Sequence, residues 1–297
     1  MATPAPEEPV QVPNFSDLGK NARDVFKTGY HYGKGLFKMV VKSKKDGVFD
    51  VTSDLAVSFD TSKLDGMLET KYRTETYGNF IQKWNTEGTG SIGCELTGKI
   101  FEGLSLMSDF FYNPQTTMKG LKLDAKYIND RFNGSCSIAN DNFDTSVNLY
   151  GAVVMSFKDL AVGYQCGYKT ATKELTKNDI GMAFSYRDFS FHVRCTSIPH
   201  EFGCSILYNV NTEWDVAVNG ITAKSGGWHE WMVGLAAKYK LDEDSIIRFK
   251  INNSMQLGAS LQQKLSENAT VSLSFNIDCG NISKGTHKIG LALELEA

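Results

Sequence analysis

The sequence lacks several features that define common protein classes. No apolar run reaches about 18 residues, the length at which a transmembrane helix is considered, so a helical membrane protein is excluded. The six cysteines form no C-x-x-C pair, which favours reduced thiols over disulfides or a metal site. A strong charge of one sign is also missing, because the formal net charge is −3. We therefore expect no nucleic-acid binding.

The first residues lack the features of a targeting segment. Residues 1–12 contain three prolines and two glutamates, without the basic and apolar regions of a secretory signal and without the arginines of a matrix-targeting peptide. We expect the product to stay on the cytosolic side of the secretory pathway. The proline-rich, acidic composition predicts a disordered tail over residues 1–13.

A helical pattern follows the tail. Between Phe15 and Tyr32 apolar residues recur at intervals of three and four, as on one face of a helix, and Ser16 or Asp17 could cap its start. Such a helix could cover a core, or it could lie against the inside of a barrel with its other side in water. The periodicity is the same in both cases.

From residue 35 to residue 297 the period changes to two. Side chains of an extended strand point alternately to opposite faces, so the stretch from residue 269 to residue 278 has one apolar and one polar face. The last strand repeats the pattern, and turn signals separate many similar stretches. We predict a long antiparallel meander. The apolar faces of these two stretches consist of Val271, Leu273, Phe275, Ile277, Ile289, Leu291, Leu293 and Leu295.

The polar faces favour a membrane barrel. Groups such as Lys122, Asp124 and Lys126 are strongly hydrophilic, while the opposite faces are almost uncharged over the whole chain. One continuous apolar surface needs lipid or a very large core. The alternative is a soluble β-sheet protein that binds a ligand or carbohydrate. Four tryptophans could then form a sugar platform: Trp84, Trp214, Trp228 and Trp231.

The length sets the size of such a barrel. A tilted membrane strand needs about 9–11 residues, and a turn of about four residues brings each arm to roughly 14. The residues after the helix then give about 18–20 strands, enough to enclose a water-filled channel. Closure pairs every backbone donor and acceptor, as hydrocarbon requires. A bacterial-type barrel is disfavoured because no signal peptide is present.

Particular segments resemble one known family. Residues 15–26 resemble the N-terminal helix of the mitochondrial porins, the voltage-dependent anion channels, and residues 239–261 resemble that family's signature. Residues 68–73, 83–86 and 287–290 are similar to it as well. The resemblance implies an all-β fold, a transmembrane 19-stranded β-barrel with parallel first and last strands and an amphipathic α-helix inside the pore. The chain then divides into a tail (1–13), a pore helix with hinge (14–34) and the barrel (35–297).

No catalytic constellation is present in the sequence. His200-Glu201 and His229-Glu230 lack the second histidine of a zinc helix, so we expect neither an enzyme nor a metal or cofactor. The resemblance implies a voltage-dependent channel of the mitochondrial outer membrane for passive diffusion of ions and small metabolites, nucleotides included. The expected partners are the lipid bilayer, small anions, cations and metabolites, with a homo-oligomer as an option.

The resemblance also implies site residues. Lys20 matches a lysine implicated in ATP contact, and two segments match an NADH-contacting region, which makes ATP and NADH weak pore ligands. For each residue the alternative is an ordinary pore-lining role. The NADH segments contribute Gln256, Leu257, Gly258, Ser274, Phe275, Asn276, Ile277 and Asp278, and the charged pore-helix residues are Arg23, Asp24 and Lys27.

The end of the chain resembles the family's sorting signal, which is a polar residue, a glycine and two spaced hydrophobic residues. The alternative is simply a well-patterned last strand. The residues that match the signal are Lys288, Gly290, Leu293 and Leu295.

Three departures from the family pattern bear on function. A second helix lysine of the family falls at Thr28 in this sequence, and the nearest lysine, Lys27, is one place earlier. Because one step on a helix turns a side chain by about 100°, Lys27 does not point where the family's lysine points. Gln82 replaces the membrane-facing glutamate tied to hexokinase docking, which puts that docking in doubt. Ser105 ends a triplet that usually closes with lysine. Together they motivate a hypothesis of weakened anion preference, extending to mild cation selectivity, and altered voltage gating.

Overall fold

The computed structural model describes residues 12–32, 37–45, 48–58, 63–74, 76–143, 146–225, 228–282 and 287–296. The predicted tail lies outside these residues except for Val12 and Pro13. A 3-10 turn (Phe15–Asp17) and helix α1 (Lys20–Lys27) precede nineteen strands. The strands are β1 (Phe37–Lys45), β2 (Phe49–Ser58), β3 (Lys63–Thr74), β4 (Gly78–Asn85), β5 (Gly90–Thr97), β6 (Leu104–Tyr112), β7 (Lys119–Ile128), β8 (Phe132–Asp141), β9 (Val147–Phe157), β10 (Leu160–Lys169), β11 (Glu174–Tyr186), β12 (Phe189–Thr196), β13 (Glu201–Asn209), β14 (Trp214–Ser225), β15 (Trp228–Lys240), β16 (Ser245–Asn252), β17 (Gln256–Ser266), β18 (Ala269–Asp278) and β19 (Lys288–Glu296).

The strands form one closed sheet. Each strand pairs antiparallel with its neighbours in sequence, and β1 closes the barrel by pairing parallel with β19. The closing register sets Met39 beside Leu293 and Val41 beside Leu295. The 19 strands and the parallel closure confirm what the resemblance implied. Strand arithmetic alone gave only a range, since one residue of turn length changes the count.

The alternation of side chains divides the barrel into two surfaces. Ala152 and Val154 on β9 pack against Phe15 and Leu18, so their positions face the lumen, and the residues between them face outward. The outward residues are large, apolar and exposed, which suits hydrocarbon and not water. Examples from around the barrel are Leu64, Phe80, Trp84, Ile92, Phe110, Leu123, Tyr164, Met182, Leu235, Phe249 and Phe275.

The tryptophans do not support a sugar platform. Trp84 lies on β4, whereas Trp214 and Trp231 lie on β14 and β15, far away around the sheet. All three side chains are outward and exposed, and Trp214 stacks on Tyr239 at a centroid distance of 4.5 Å. The soluble carbohydrate-binding alternative is therefore not favoured. The side chain of Trp228 lies outside the described part of the chain.

The single helix predicted from residue 15 to residue 32 is wrong in its continuity. Gly19 adopts a left-handed backbone (φ 67°) between the 3-10 turn and α1, a conformation that costs glycine little. The break directs Phe15 and Leu18 to one part of the wall and α1 to another. Within the described residues, no helix is long and apolar enough to cross a membrane.

We call residues 12–32 the pore segment, because the barrel surrounds them. Val12, Phe15 and Leu18 pack against β9 and β10. Ala22 and Val25 of α1 pack against Leu207, Ala217 and Ala236 on β13–β15. Val12 is buried and its carbonyl accepts a 2.8 Å hydrogen bond from the Asn133 amide, so this residue of the predicted tail is fixed to the barrel wall. The expected helix inside the pore is confirmed.

Candidate functional site: the pore lumen

The hinge, residues 28–32, is fastened to the lumen wall by hydrogen bonds just after α1. Ser260 Oγ donates to the Gly29 carbonyl at 2.6 Å, and the His31 amide donates to Ser274 Oγ at 3.0 Å. Ser274 Oγ donates in turn to the Gly290 carbonyl at 3.1 Å. These bonds tie the hinge to strands β17, β18 and β19, whose small polar residues face inward.

Lys250 on β16 holds the same region. Its Nζ donates to the Phe26 carbonyl at 2.7 Å and lies 3.9 Å from the ring centroid of Tyr30 and 5.2 Å from that of Tyr32. Burial raises the pKa of the Tyr32 hydroxyl to about 12, so the phenol stays neutral at physiological pH. The lysine thus meets the electron-rich faces of two neutral rings, a favourable cation–π arrangement.

Arg248, two residues earlier on the same luminal face, is more deeply buried. Only 5% of the residue is exposed. Its Nη1 donates to Gln262 Oε1 at 2.8 Å, and its Nε is buried without a partner. It lines a cavity of about 390 Å³ together with Asp24 and Thr28 of the pore segment. Thr28 is the position at which the resemblance expected a lysine.

The opposite wall carries a second polar cluster. The buried carboxylate of Asp179 accepts hydrogen bonds from Gln165, from Arg194 at 2.9 Å and from the Ser197 amide at 2.8 Å. The Arg194 guanidinium lies 5.5 Å from the centroid of the Phe15 ring. This cluster therefore supports the start of the pore segment, as Lys250 supports its end.

Many luminal charges are arranged in ion pairs, most of them between neighbouring strands. Paired charges attract a passing ion less than isolated ones, since each cation is offset by an acid close by. The luminal pairs are Lys38–Asp54, Arg73–Asp50, Lys71–Glu95, Lys83–Glu69, Lys122–Asp124, Arg194–Asp179 and Lys238–Asp215.

The nucleotide residues implied by the resemblance do not share one place. Gln256, Gly258 and Asn276 line a luminal cavity of about 260 Å³ with Lys250 and Tyr32. Two further residues of that set face the lumen but have structural partners. Ser274 is fully buried under the hinge, and Asp278 accepts hydrogen bonds from the turn after β18.

Three members of the set face the other way. Leu257, Phe275 and Ile277 alternate with the luminal residues on β17 and β18, and they point toward lipid. Their side chains cannot contact a ligand in the lumen. The resemblance carried over contiguous segments, whereas a strand presents only every second residue to one side.

Lys20 lies in a different cavity. This cavity, about 560 Å³, is also lined by His192 and Ser190 of β12. The Lys20 ammonium is 4.0 Å from the Asp17 carboxylate and is largely exposed. A ligand at Lys20 would therefore not be in the cavity of Gln256 and Asn276.

The other pore-helix residues have separate environments. Arg23 donates to the Ser16 carbonyl across the break at Gly19. Asp24 lines the cavity beside Arg248. Lys27 is exposed to the lumen at the end of α1. All three lie on the pore segment inside the barrel.

The sorting-signal residues divide between the surfaces. Lys288 and Gly290 face the lumen, and Leu293 and Leu295 face outward. Gln82 also faces outward, between the exposed side chains of Phe80 and Trp84. Sorting by these residues stays a prediction, as does the loss of hexokinase docking.

The sequence analysis missed the role of the luminal face of β16. Lys250 contacts both hinge tyrosines and Ser260 binds the Gly29 carbonyl, although these two strand residues lie more than 200 residues from the hinge. Alternation shows that such residues face the lumen. It gives no sign of which luminal residue meets the pore segment.

Comparisons with known proteins place the whole chain in one family. Residues 11–290 match the family described as eukaryotic porin. The chain is 36% identical over 300 residues to "Non-selective voltage-gated ion channel VDAC2" of Meleagris gallopavo, covering 100% of this chain and 99% of that protein. It is 35% identical over 288 residues to "Non-selective voltage-gated ion channel VDAC1" of Ovis aries and of Homo sapiens, covering 96% of this chain and 99% of each relative.

Proposed function

The chain belongs to the eukaryotic porin family, and from this premise we propose that it is a voltage-gated channel of the mitochondrial outer membrane through which ions and small metabolites diffuse passively. The observation that carries this function is the closed 19-stranded barrel with an apolar outer surface and a polar lumen. Lipid covers the first surface, and water fills the second. The family is one of channels and not of enzymes.

The pore segment is the part of the molecule that can control passage. It lies in the lumen and is held at Phe15 and Leu18 on one wall and at the hinge on the other. Lys20 and Lys27 are exposed in the lumen and Arg23 and Asp24 are half-buried there, so all four charges lie beside the water that permeating ions cross. Movement of this charged segment in the transmembrane field is the physical basis for voltage dependence.

The luminal ion pairs support a weak anion preference. Pairs such as Lys71–Glu95 and Lys83–Glu69 set an acid beside the cation, so these paired positions carry little excess of either sign. Thr28 removes a positive charge from the hinge. The relatives are named non-selective voltage-gated ion channels, a name that fits a weak preference for anions.

Reversal potential in a planar bilayer tests this proposal. Across a tenfold KCl gradient, we expect a value near zero and well short of the ~59 mV that complete selectivity gives for a monovalent ion. Glu69→Gln frees Lys83 on the same wall and should shift the reversal potential toward anion selectivity, whereas Gln82→Glu on the lipid side should leave it unchanged.

Two outcomes would contradict different parts of the proposal. A strongly anionic reversal potential in the unmodified protein would overturn the reduced anion preference and leave the channel itself intact. Absence of any conductance from correctly folded barrels would overturn the channel.

The luminal cavity of Gln256, Gly258 and Asn276 supports weak nucleotide contact. Lys250 supplies a cation and Tyr32 an aromatic ring beside these polar groups, which suits a phosphate and a base. Lys20 would contact nucleotide phosphates separately, at the other cavity. The ligand in both cases is a passing solute and not a resident cofactor.

Partners other than lipid would meet the outer surface or the rims. A homo-oligomer would form through lipid-facing strands, because the outer face is the side that a second barrel can reach. Gln82 offers hexokinase docking no negative charge there. The family supports location in the mitochondrial outer membrane, where the bilayer meets the apolar outer face.

A further inference from the structure

Arg248 is a buried cation for which the described residues supply no acid as an ion-pair partner. It is 95% buried, its Nη1 is bound to the neutral amide oxygen of Gln262, and its Nε has no partner. A buried charge is costly unless an opposite charge or several hydrogen bonds compensate for it. The local structure therefore lacks one negative charge.

Beside Arg248 is a cavity that could hold that charge. The space of about 390 Å³ lies between α1 and strands β13–β16, and a small ion fits easily. Of the other charges in its lining, Lys238 and Asp215 are paired at 2.9 Å and offset each other. Arg248 and Asp24 remain, on opposite walls.

Neutral donors near Arg248 would assist an anion. Thr28 and Asn209 line the cavity with a hydroxyl and an amide. The Tyr30 hydroxyl is also buried without a partner. Burial raises the pKa of Tyr30, while the Arg248 charge acts in the opposite sense, so the phenol remains a donor.

We propose that Arg248 binds one small monovalent anion, of the chloride class, in the cavity between α1 and strands β13–β16. Asp24 on the opposite wall disfavours an ion of higher charge, because like charges repel in a space of this size. Phosphate and sulfate are thereby rejected.

Occupancy would also stabilise the hinge. Arg248 Nη1 would lie 2.6 Å from a Cβ placed on Gly29, so the guanidinium lies directly against the hinge backbone. An anion that neutralises Arg248 removes the cost of burying it in the docked state. Anion binding at Arg248 is distinct from conduction through the pore, since it can be measured where no ion crosses a membrane.

Chloride binding to the full chain refolded in neutral detergent micelles tests the proposal. We expect saturable excess broadening of the ³⁵Cl NMR line with unmodified protein, and at least a tenfold loss of affinity in Arg248→Gln. Lys126→Gln removes a luminal lysine on β7, outside the cavity, and should bind chloride as the unmodified protein does. Equal broadening in all three would overturn the site, because it would reflect general attraction.

Asp24→Asn distinguishes a bound anion from neutralisation of Arg248 by Asp24 itself. If chloride occupies the site, removing the acid should tighten chloride binding and allow sulfate to compete. If Asp24 instead neutralises Arg248 through water, the unmodified protein should show no saturable broadening, and Asp24→Asn should unfold more readily. That second result would overturn the proposal.

Folding gives a further readout if Arg248→Gln refolds poorly. Arg248→Lys keeps the charge and should keep chloride binding, whereas Arg248→Met keeps the volume and should lose it. At a tenfold excess of chloride over Kd, mass action shifts the folding equilibrium about elevenfold. Replacing gluconate by chloride should therefore raise the Tm of the unmodified protein and of Arg248→Lys but not of Arg248→Met. A Tm rise in Arg248→Met, or no rise in the unmodified protein, would refute the site.

Discussion

At the scale of a residue, Gly290 joins the last strand to the pore segment. A Cβ at this position would lie 2.5 Å from the Tyr32 amide nitrogen and 2.6 Å from the His31 carbonyl carbon. Both contacts are to backbone, which cannot rotate away as a side chain can. The absence of a side chain thus lets the hinge approach β19 and donate the His31 amide to Ser274 Oγ.

We predict that Gly290→Ala destabilises the barrel by about 1–3 kcal/mol, the usual cost of overpacking. Denaturant unfolding of protein refolded in micelles measures this without any import step. Gly220→Ala is the matched control, since a Cβ at Gly220 on β14 meets no atom within 4 Å. If the two variants unfold alike, Gly290 serves the sorting signal alone.

At the scale of an element, the two halves of the pore segment dock on different strands. The 3-10 turn packs against β9 and β10, and α1 packs against β13–β15. A short helix of eight residues has little stability of its own in water. The contacts of Ala22 and Val25 with Ala217 and Ala236 therefore hold α1 in place.

We predict that Val25→Ala loosens α1 from the wall. Removing two methyl groups from this contact should cost about 1 kcal/mol and raise the undocked population roughly fivefold. Trypsin cleavage after Lys20, Arg23 or Lys27 should accelerate by a similar factor.

The same truncation on the lipid side of β14, Val216→Ala, is the control for Val25→Ala. It removes equal volume from a residue that points away from α1. Equal acceleration of cleavage in both variants would show that the barrel as a whole had loosened.

At the scale of the whole molecule, closure between β1 and β19 creates the two surfaces. Leu293 and Glu294 are adjacent on β19, yet the first pairs with Met39 on the outer surface and the second with Val40 on the luminal surface. A charge has a different cost on each side, because only one side is in hydrocarbon.

We predict that Leu293→Arg costs about 2–4 kcal/mol, as expected for arginine facing the bilayer core, and that Glu294→Arg is tolerated. Alkaline carbonate extraction of membranes measures the integrated fraction, which should fall for the first variant only. Leu293→Ala shortens the side chain without adding charge and should remain integrated. Loss of integration in Glu294→Arg would contradict the assignment of faces.

The sequence by itself determined the two surfaces. A strict period of two over residues such as Val271 to Ile277 requires one apolar face, and its recurrence along the chain requires lipid or a very large core to cover it. The family segments supplied the strand number and the place of the helix. The two surfaces depend only on the order of apolar and polar residues along each strand, so the sequence is enough to predict them.

The tertiary structure decided which luminal residues meet. Arg248, Lys250, Ser260 and Ser274 reach the hinge only because closure brings strands β16–β18 beside residues 28–32. It also separated Lys20 from Gln256, which line different cavities. Gly19 lies close against His192 of β12, since a Cβ there would lie 2.4 Å from its ring. Such contacts join residues far apart in sequence, and their geometry exists only once the barrel has closed.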